Sequence, residues 1–529
     1  MKRRNFIEFI GKGSLAGIVL SPLSLLNSCA TAKKIYKAKI LFDSLEITEK
    51  IDDVVLAEGF VYNVVVSAGD KISDKDTFGE HNDYIACFIS KNNETILWVN
   101  NEYYNPLFLG TDIGDKTREQ IDIERYAVGG SIIKIEKDEY DNWKLKEDNA
   151  INKRITGETK IPFLWNEKIA GSDFAEGTLE NCAGGITSWG TVLSCEENYD
   201  YQYGDIYYDE NNERQFDKSW AGWEKFYNNP PEHYGWVVEV DIETGEAQKL
   251  VALGRFKHES ATVFELEDGR VVIYSGDDEK DQHIYKYVSK KPQDLQDGTL
   301  YVADMENGKW LSLDYNYSKI LQNRFKNQTD VLIRTREAAK LLGATPMNRP
   351  EDIDIDPISG DVYISLTNNT SKGDYHGTII KIIEDTEDKT GLTFKSETFL
   401  TGGEENMFSS PDNLAFDKRG NLWFCTDVSE SKLGTNEYEK FVSNGLFLVP
   451  RTGKKAGEII QIASAPNDSE FTGIFFHPNE NTLFLSVQHP GDNSKDLLNL
   501  TSHWPLGRNS LPKSSVIAIS GNSMNKLLN

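Results

Sequence analysis

The chain has 529 residues, enough for several ordinary domains or one large repeat-built one, and with 39% hydrophobic and 27% charged residues it can bury a sizeable core. Its 84 acidic residues outnumber 57 basic ones for a formal charge of −27, with no basic block beyond the first few residues, which argues against nucleic-acid binding. Five cysteines, Cys29, Cys87, Cys182, Cys195 and Cys425, are odd in number and widely spaced, which argues against a disulfide framework.

In chain order the first element reads as an address. Lys2-Arg3-Arg4 precedes a short apolar stretch around Leu15-Ala16-Gly17-Ile18-Val19-Leu20, which is broken by Gly, Ser and Pro22 and falls short of the roughly 20 residues of a membrane span. The stretch closes on Leu26-Asn27-Ser28-Cys29, which resembles a bacterial lipobox and marks Cys29 for lipidation. Arg3-Arg4-Asn5-Phe6-Ile7 resembles a twin-arginine signal, with Glu8 where that pattern favours Lys. The expected organisation is a signal peptide over 1–29, a tether over 30–45 and one folded domain over 46–529. The protein is then exported to the periplasm or cell envelope, touches a membrane only through the lipid, and works in a calcium-rich setting that suits its acidity.

Past about residue 45 the chain shows short alternating or fully apolar runs ended by Gly, Asn and Asp, with one helix candidate around Thr335 to Leu342. Six times a strand that climbs to a polar end is followed by a second apolar strand, usually led by Gly. The pairs are 94–100 with 130–135, 190–196 with 235–240, 269–277 with 284–287, 360–367 with 377–382, 420–427 with 445–449, and 481–488 with 515–519. Recurrence of one unit around a ring predicts an all-β, six-bladed propeller-like fold, with long insertions near Glu102–Ala127, Tyr199–Tyr234 and Ser289–Pro346. A pair of β-sandwiches is the alternative topology.

A propeller gathers corresponding loops at the ends of its channel, and the loops here are rich in acids and amides: Asn100-Asn101-Glu102, Cys195-Glu196-Glu197-Asn198, His258-Glu259, Arg349-Pro350-Glu351-Asp352, Pro411-Asp412-Asn413 and Glu470. Carboxylates and carbonyls suit Ca2+, and a set that includes a thiolate also suits iron. Taken singly, any of these acids also fits a solvated loop. Cys182, between Asn181 and Ala183-Gly184-Gly185, sits where small residues allow close approach and fits a ligand, a nucleophile or an inert buried thiol. Cys87, Cys195 and Cys425 lie in apolar runs and read as strand residues. Arg349 offers a rigid fork for phosphate, or an ion pair with Glu351 or Asp352. No Gly-x-Ser-x-Gly elbow, Gly-rich nucleotide fingerprint or His-x-x-x-His pair is present, which removes triad hydrolases, dinucleotide enzymes and zinc-protease helices.

A series of ordered blocks then resembles the PhoX-type alkaline phosphatases: Asn181-Cys182-Ala183-Gly184-Gly185-Ile186-Thr187 with Cys195-Glu196-Glu197, His233-Tyr234-Gly235-Trp236, Gly254-Arg255-Phe256-Lys257-His258-Glu259, Arg349-Pro350-Glu351-Asp352, Pro411-Asp412-Asn413-Leu414 and Gln488-His489-Pro490-Gly491. The resemblance implies an exported propeller that hydrolyses small phosphomonoester substrates with iron (Fe3+) and Ca2+, and since nothing in the sequence indicates a coiled coil or obligate partner, a monomer is expected. It implies Cys182 as an iron ligand, Glu196 or Glu197 and Glu259 in the metal cluster, Glu351 as a catalytic metal-binding acid, Glu470 as a further ligand and Arg349 as the catalytic phosphate-binding group. Two departures, Asn101 in place of a family His and Ser188 in place of Pro, are expected to alter the mouth of the site. A calcium-stabilised surface propeller that binds a glycan or protein, and a propeller phosphodiesterase or lactonase, are the competing readings.

Overall fold

The six strand pairs foreseen in the sequence form the middle of six antiparallel sheets in the computed structural model, which describes residues 42–111, 114–147 and 149–529. Each sheet gains an inner strand ahead of the pair and outer strands behind it. The inner strands are Asn82–Ile89, Asn181–Ile186, His258–Glu265, Pro350–Ile355, Pro411–Phe416 and Glu470–Phe476, and neighbouring ones lie side by side around a common axis. The ring closes through early chain. Val61–Ser67 pairs with Ser515–Ser520 as the outer strand of the sixth blade, and Val55–Leu56 completes the fifth by pairing with Ile460–Ser464. Phe42 is buried against Phe60, ring centroids 4.9 Å apart, and the Leu45 amide donates to the Gln461 carbonyl. The folded unit therefore already includes Phe42, inside the stretch expected to be a tether. Cys29 and the rest of the expected address lie outside the described residues.

Alternate side chains of a strand serve opposite faces, so each blade contributes to two cores. Leu97 and Val99 pack with Phe484 and Val516 of the sixth blade, whereas Ile96 and Trp98 pack with Val192 and Val238 of the second. In the third blade Val271 and Ile273 face backward, and Val272 and Tyr274 face forward. Strands buried on both sides explain the continuous apolar runs. They also explain Cys87, Cys195 and Cys425, which are buried residues of these inter-blade cores.

The long insertions carry the helices. Arg118–Ala127 lies in the first, and Thr335–Leu342, at the position expected, lies in the third. The first two insertions leave the ends of second strands, which is the end of the channel where the inner strands begin. That end is the mouth described next.

Candidate metal centre

Four inner strands are entered through the same strained step. His81, Glu180, Arg349 and Ser410 have φ of 37, 49, 54 and 53°, left-handed values that cost a non-glycine residue roughly 1–2 kcal/mol each. They precede Asn82, Asn181, Pro350 and Pro411, and in each strand the register then shifts over the next three residues. A bulge re-aims the side chain it carries. The residue in that position is Asp83, Cys182, Glu351 or Asp412, and the third and sixth blades bring Glu259 and Glu470 from strands with comparable bulges. A second tier comes from the residues that immediately follow second strands: Glu102, Glu197, Asp278, Asp427 and His489.

Cys182, Glu197 and Glu259 are all buried, and one ligand atom from each lies within 4.8 Å of the others. Around them the acids are crowded. Burial pushes Glu259 well above the usual carboxylate range, and Glu351, Glu197, Asp412 and Asp83 push it further. Burial and neighbouring carboxylates act the same way on Asp83, Glu197, Asp412 and Glu470, and Glu102 is pushed up to about 7 by burial. The Cys182 thiol is raised by burial and then by Glu259 and Glu197. So many buried like charges are tolerable only if protons or cations neutralise them. Two carboxylate oxygens, Asp83 Oδ1 and Glu470 Oε2, are buried without a hydrogen-bond partner among the described residues. Donor chemistry and orphaned oxygens both fit bound cations.

Arg349 stands at the edge of this cluster with its side chain 26% exposed. Its Nε donates to Asp278 Oδ1 at 2.8 Å and its Nη2 to Asp278 Oδ2 at 2.6 Å, while Glu351 Oε1 lies 2.9 Å from Nη2. Burial alone would raise Asp278, but the guanidinium holds its carboxyl below the usual range. Glu351 accepts in addition from Thr367 Oγ1 at 2.7 Å, and burial with the Asp278 charge raises it despite Arg349. Asn198 links a basic group to the cluster: its Nδ2 donates to Glu197 Oε2 at 2.8 Å, and its Oδ1 accepts from Lys257 Nζ at 2.9 Å.

Glu196 does not join the three-ligand group. As the last residue of its strand it points to the other face, where Oε2 accepts from the amides of Gly235 and Trp236 and Oε1 accepts from Lys249 Nζ at 2.6 Å. Both side chains of this ion pair are fully buried. Glu196→Ala leaves Lys249 uncompensated and should cost about 3–5 kcal/mol in a urea unfolding curve. An unchanged midpoint would show that the pair is dispensable. Ser188 also falls elsewhere: it is exposed in the turn between Asn181–Ile186 and Thr191–Glu196, at the end of the blade opposite the mouth, so it does not shape the site. Asn101 is fully buried and accepts from Ser131 Oγ at 2.7 Å. The candidates from sequence did not include Asp83 or Asp278. Asp83 lies on an inner strand that the repeat pattern does not reveal, and Asp278 is the second acid of Asp277-Asp278, of which Asp277 is turned to Arg336.

Fold and site together define a β-propeller protein whose channel opens on a polyacidic, cation-demanding cup with an arginine at its rim. The chain belongs to the alkaline phosphatase PhoX family, which matches residues 40–491, and is thus a phosphomonoesterase by family. Its structure is similar to that of Pseudomonas fluorescens PhoX in complex with vanadate, a transition state analogue, with a TM-score of 0.80, 29% identity, and coverage of 91% of this chain and 98% of that one. Weaker similarity reaches a gluconolactonase from Xanthomonas campestris, at TM-score 0.34, 10% identity, 89% of this chain and 97% of that one. A calcium-containing carbohydrate-active enzyme of Trichoderma reesei gives TM-score 0.36 and 8% identity over 91% and 99%. Comparison with curated proteins finds no match. Family membership decides for phosphomonoester hydrolysis over the glycan-binding and lactonase readings.

Proposed function

We propose that this phosphatase is an exported enzyme that holds iron and calcium at the channel mouth and binds the phosphoryl group of its substrate through Arg349. The observation that carries the reading is the meeting of Cys182, Glu197 and Glu259 within 4.8 Å among acids that burial and mutual repulsion keep from ionising alone. Cys182, Glu197 and Glu259 would hold iron, and Glu351 and Glu470 would serve calcium, with Asp83 and Asp412 as further oxygen donors. Bound there, the cations supply polarisation of the phosphoryl oxygens and neutralisation of developing charge.

The protein's own groups do the rest. Asp278 grips the Nε–Nη2 edge of the Arg349 guanidinium and fixes the plane of the fork, so that its remaining N–H groups meet the non-bridging oxygens in one orientation. Glu351, pinned by Thr367, sits beside both the fork and the cluster and orders the approach between them. Hydrolysis adds water across the P–O ester bond: the new bond forms from the water oxygen, the ester oxygen leaves in line with it, and a proton returns to the leaving alcohol. Vanadate in the P. fluorescens relative supports a site that accepts the phosphoryl geometry. Export and lipid attachment at Cys29 complete the proposal, together with a monomeric state. Among the described residues no helix is long and apolar enough to cross a membrane.

The test is hydrolysis of nitrophenyl phosphate by protein purified with iron and calcium, before and after chelation. Activity should fall by at least about a hundredfold on chelation and return with the cations. Full activity in metal-free protein would overturn the cation-holding role of the cluster.

A further inference from the structure

Arg349 lines a pocket of about 210 Å3 at the channel mouth, space beside the guanidinium that an ester held there can occupy. That volume is below the roughly 300–1,000 Å3 typical of pockets for larger ligands, and leaves room for a phosphoryl group and a leaving group of a few carbons. Its wall is polar. Thr370, Asn368, Ser410 and Ser429 present hydroxyl and amide groups, and Val428 and Tyr438 are its only apolar or aromatic members among the described residues. Tyr438 is buried, with its hydroxyl spent on the Tyr375 carbonyl at 2.9 Å. A flat aromatic ring or nucleobase finds no stacking face here.

Two further features point to what does bind. Ser410 is 1% exposed and its Oγ has no hydrogen-bond partner among the described residues, an orphaned hydroxyl on the wall of a polar pocket. It occupies in the fifth blade the same left-handed step that Arg349 occupies in the fourth, so the strain that aims the guanidinium also fixes this hydroxyl. Lys280 and Lys432 stand on the same wall, both exposed, and neither has a carboxylate within 4 Å among the described residues. Of the two acids on that wall, Glu279 lies 3.4 Å from Lys257, and Asp427 belongs to the acidic tier. In a chain with 84 acids and 57 bases, two unpaired lysines facing one small pocket are an anion-attracting feature.

Resting on the phosphatase reading above, we propose that the preferred substrate class is a short, hydroxyl-bearing phosphomonoester with a second anionic group. Arg349 takes the scissile phosphoryl group, Ser410 Oγ donates to an oxygen of the bound ester, and Lys280 and Lys432 attract the second anion. The second anion can be a carboxylate or another phosphate, since the shared chemistry is charge on a small polar leaving group. Nucleoside and aryl phosphates are the disfavoured classes.

The test compares kcat/KM for phosphoglycerate, bisphosphoglycerate, glycerol phosphate, adenosine monophosphate and nitrophenyl phosphate, using the full chain purified with iron and calcium. Phosphoglycerate or bisphosphoglycerate should exceed glycerol phosphate by about tenfold, the factor two exposed ion pairs supply together, and high salt should shrink the ratio. Phosphoglycerate carries a carboxylate and a hydroxyl, whereas 2,3-bisphosphoglycerate carries a carboxylate and a second phosphate in place of the hydroxyl, so faster turnover of the latter marks phosphate as the preferred second group and slower turnover marks the carboxylate with its neighbouring hydroxyl. K280A/K432A should bring the ratio close to one, and S410A should lower kcat/KM for the hydroxyl-bearing esters more than for nitrophenyl phosphate. Equal turnover of charged and neutral leaving groups, a preference for the nucleotide, or a K280A/K432A variant that keeps the ratio would overturn the proposal while leaving the phosphatase reading intact. Failure to hydrolyse any of the five esters would overturn both.

Discussion

Cys182→Ser protein should purify with its iron lost and its activity down by at least about a hundredfold, while retaining the fold. A buried thiol between two carboxylates is held in its neutral form by burial and by Glu259 and Glu197, so the thiolate exists at neutral pH only when a cation lies against it. Serine preserves shape but offers a hydroxyl that does not ionise and binds iron far less well than a thiolate. Removing one of three close ligands also leaves Glu197 and Glu259 facing each other without the cation that offsets them. Activity alone does not identify the cause, so two further readouts are paired with it. Metal analysis of the purified variant should show depleted iron, and the drop in Tm that chelation should cause in the parent should shrink, because a cation that binds only the folded state stabilises it by mass action. Glu259→Gln is the companion variant, since it keeps the volume and removes the charge. An iron content and activity in Cys182→Ser close to those of the parent would remove the thiol from the centre.

The parts of this architecture that were legible in sequence are the ones whose side chains obey a simple rule. Second and third strands of each blade are buried on both faces, and runs such as Val271-Val272-Ile273-Tyr274 announce themselves as apolar segments after a Gly-led turn. Inner strands break that rule. Four of the six begin after a left-handed residue, continue with Asn or Pro and then an acid or Cys182, and shift register through a bulge, so Arg349-Pro350-Glu351 reads as a loop in sequence although Pro350 already pairs with Leu366. The kinship of His81-Asn82-Asp83, Glu180-Asn181-Cys182, Arg349-Pro350-Glu351 and Ser410-Pro411-Asp412 becomes visible only once the four are superposed by register. The same rule separates Glu196 from Glu197. Neighbours on a strand face opposite ways, but which of two adjacent acids turns inward depends on where the ladder ends, and that depends on Lys249, more than fifty residues away, as a buried partner for Glu196. Cys182, Glu259 and Arg349 were reachable through motif resemblance. Asp278 lies in a matching block too, Tyr274-Ser275-Gly276-Asp277-Asp278, but sequence does not tell which of its two acids turns to Arg349 and which to Arg336.

The hold of Asp278 on Arg349 sets the second large effect. Arg349→Ala should lower kcat/KM for nitrophenyl phosphate by about 10²–10³-fold, the size associated with losing one preorganised donor to a developing oxyanion. Arg349→Lys should recover only part of it, since an ammonium restores charge without the planar fork that engages Asp278 at 2.8 and 2.6 Å. Asp278→Asn tests whether the fork's orientation matters as well as its charge. It keeps the volume, weakens the grip on the guanidinium, and should reduce activity in the parent by about tenfold while adding little in an Arg349→Ala background. A residue that merely stabilised the fold would lower both backgrounds equally, so the double-mutant cycle separates positioning from structure. Inhibition by inorganic phosphate gives an independent measure, because a fork that bound the ester would also bind the product. Its Ki should rise in Arg349→Ala in step with the loss of kcat/KM. If Arg349→Ala retained activity within about threefold of the parent, less than the usual worth of a single charge-assisted hydrogen bond, the phosphoryl group would be held elsewhere in the cup.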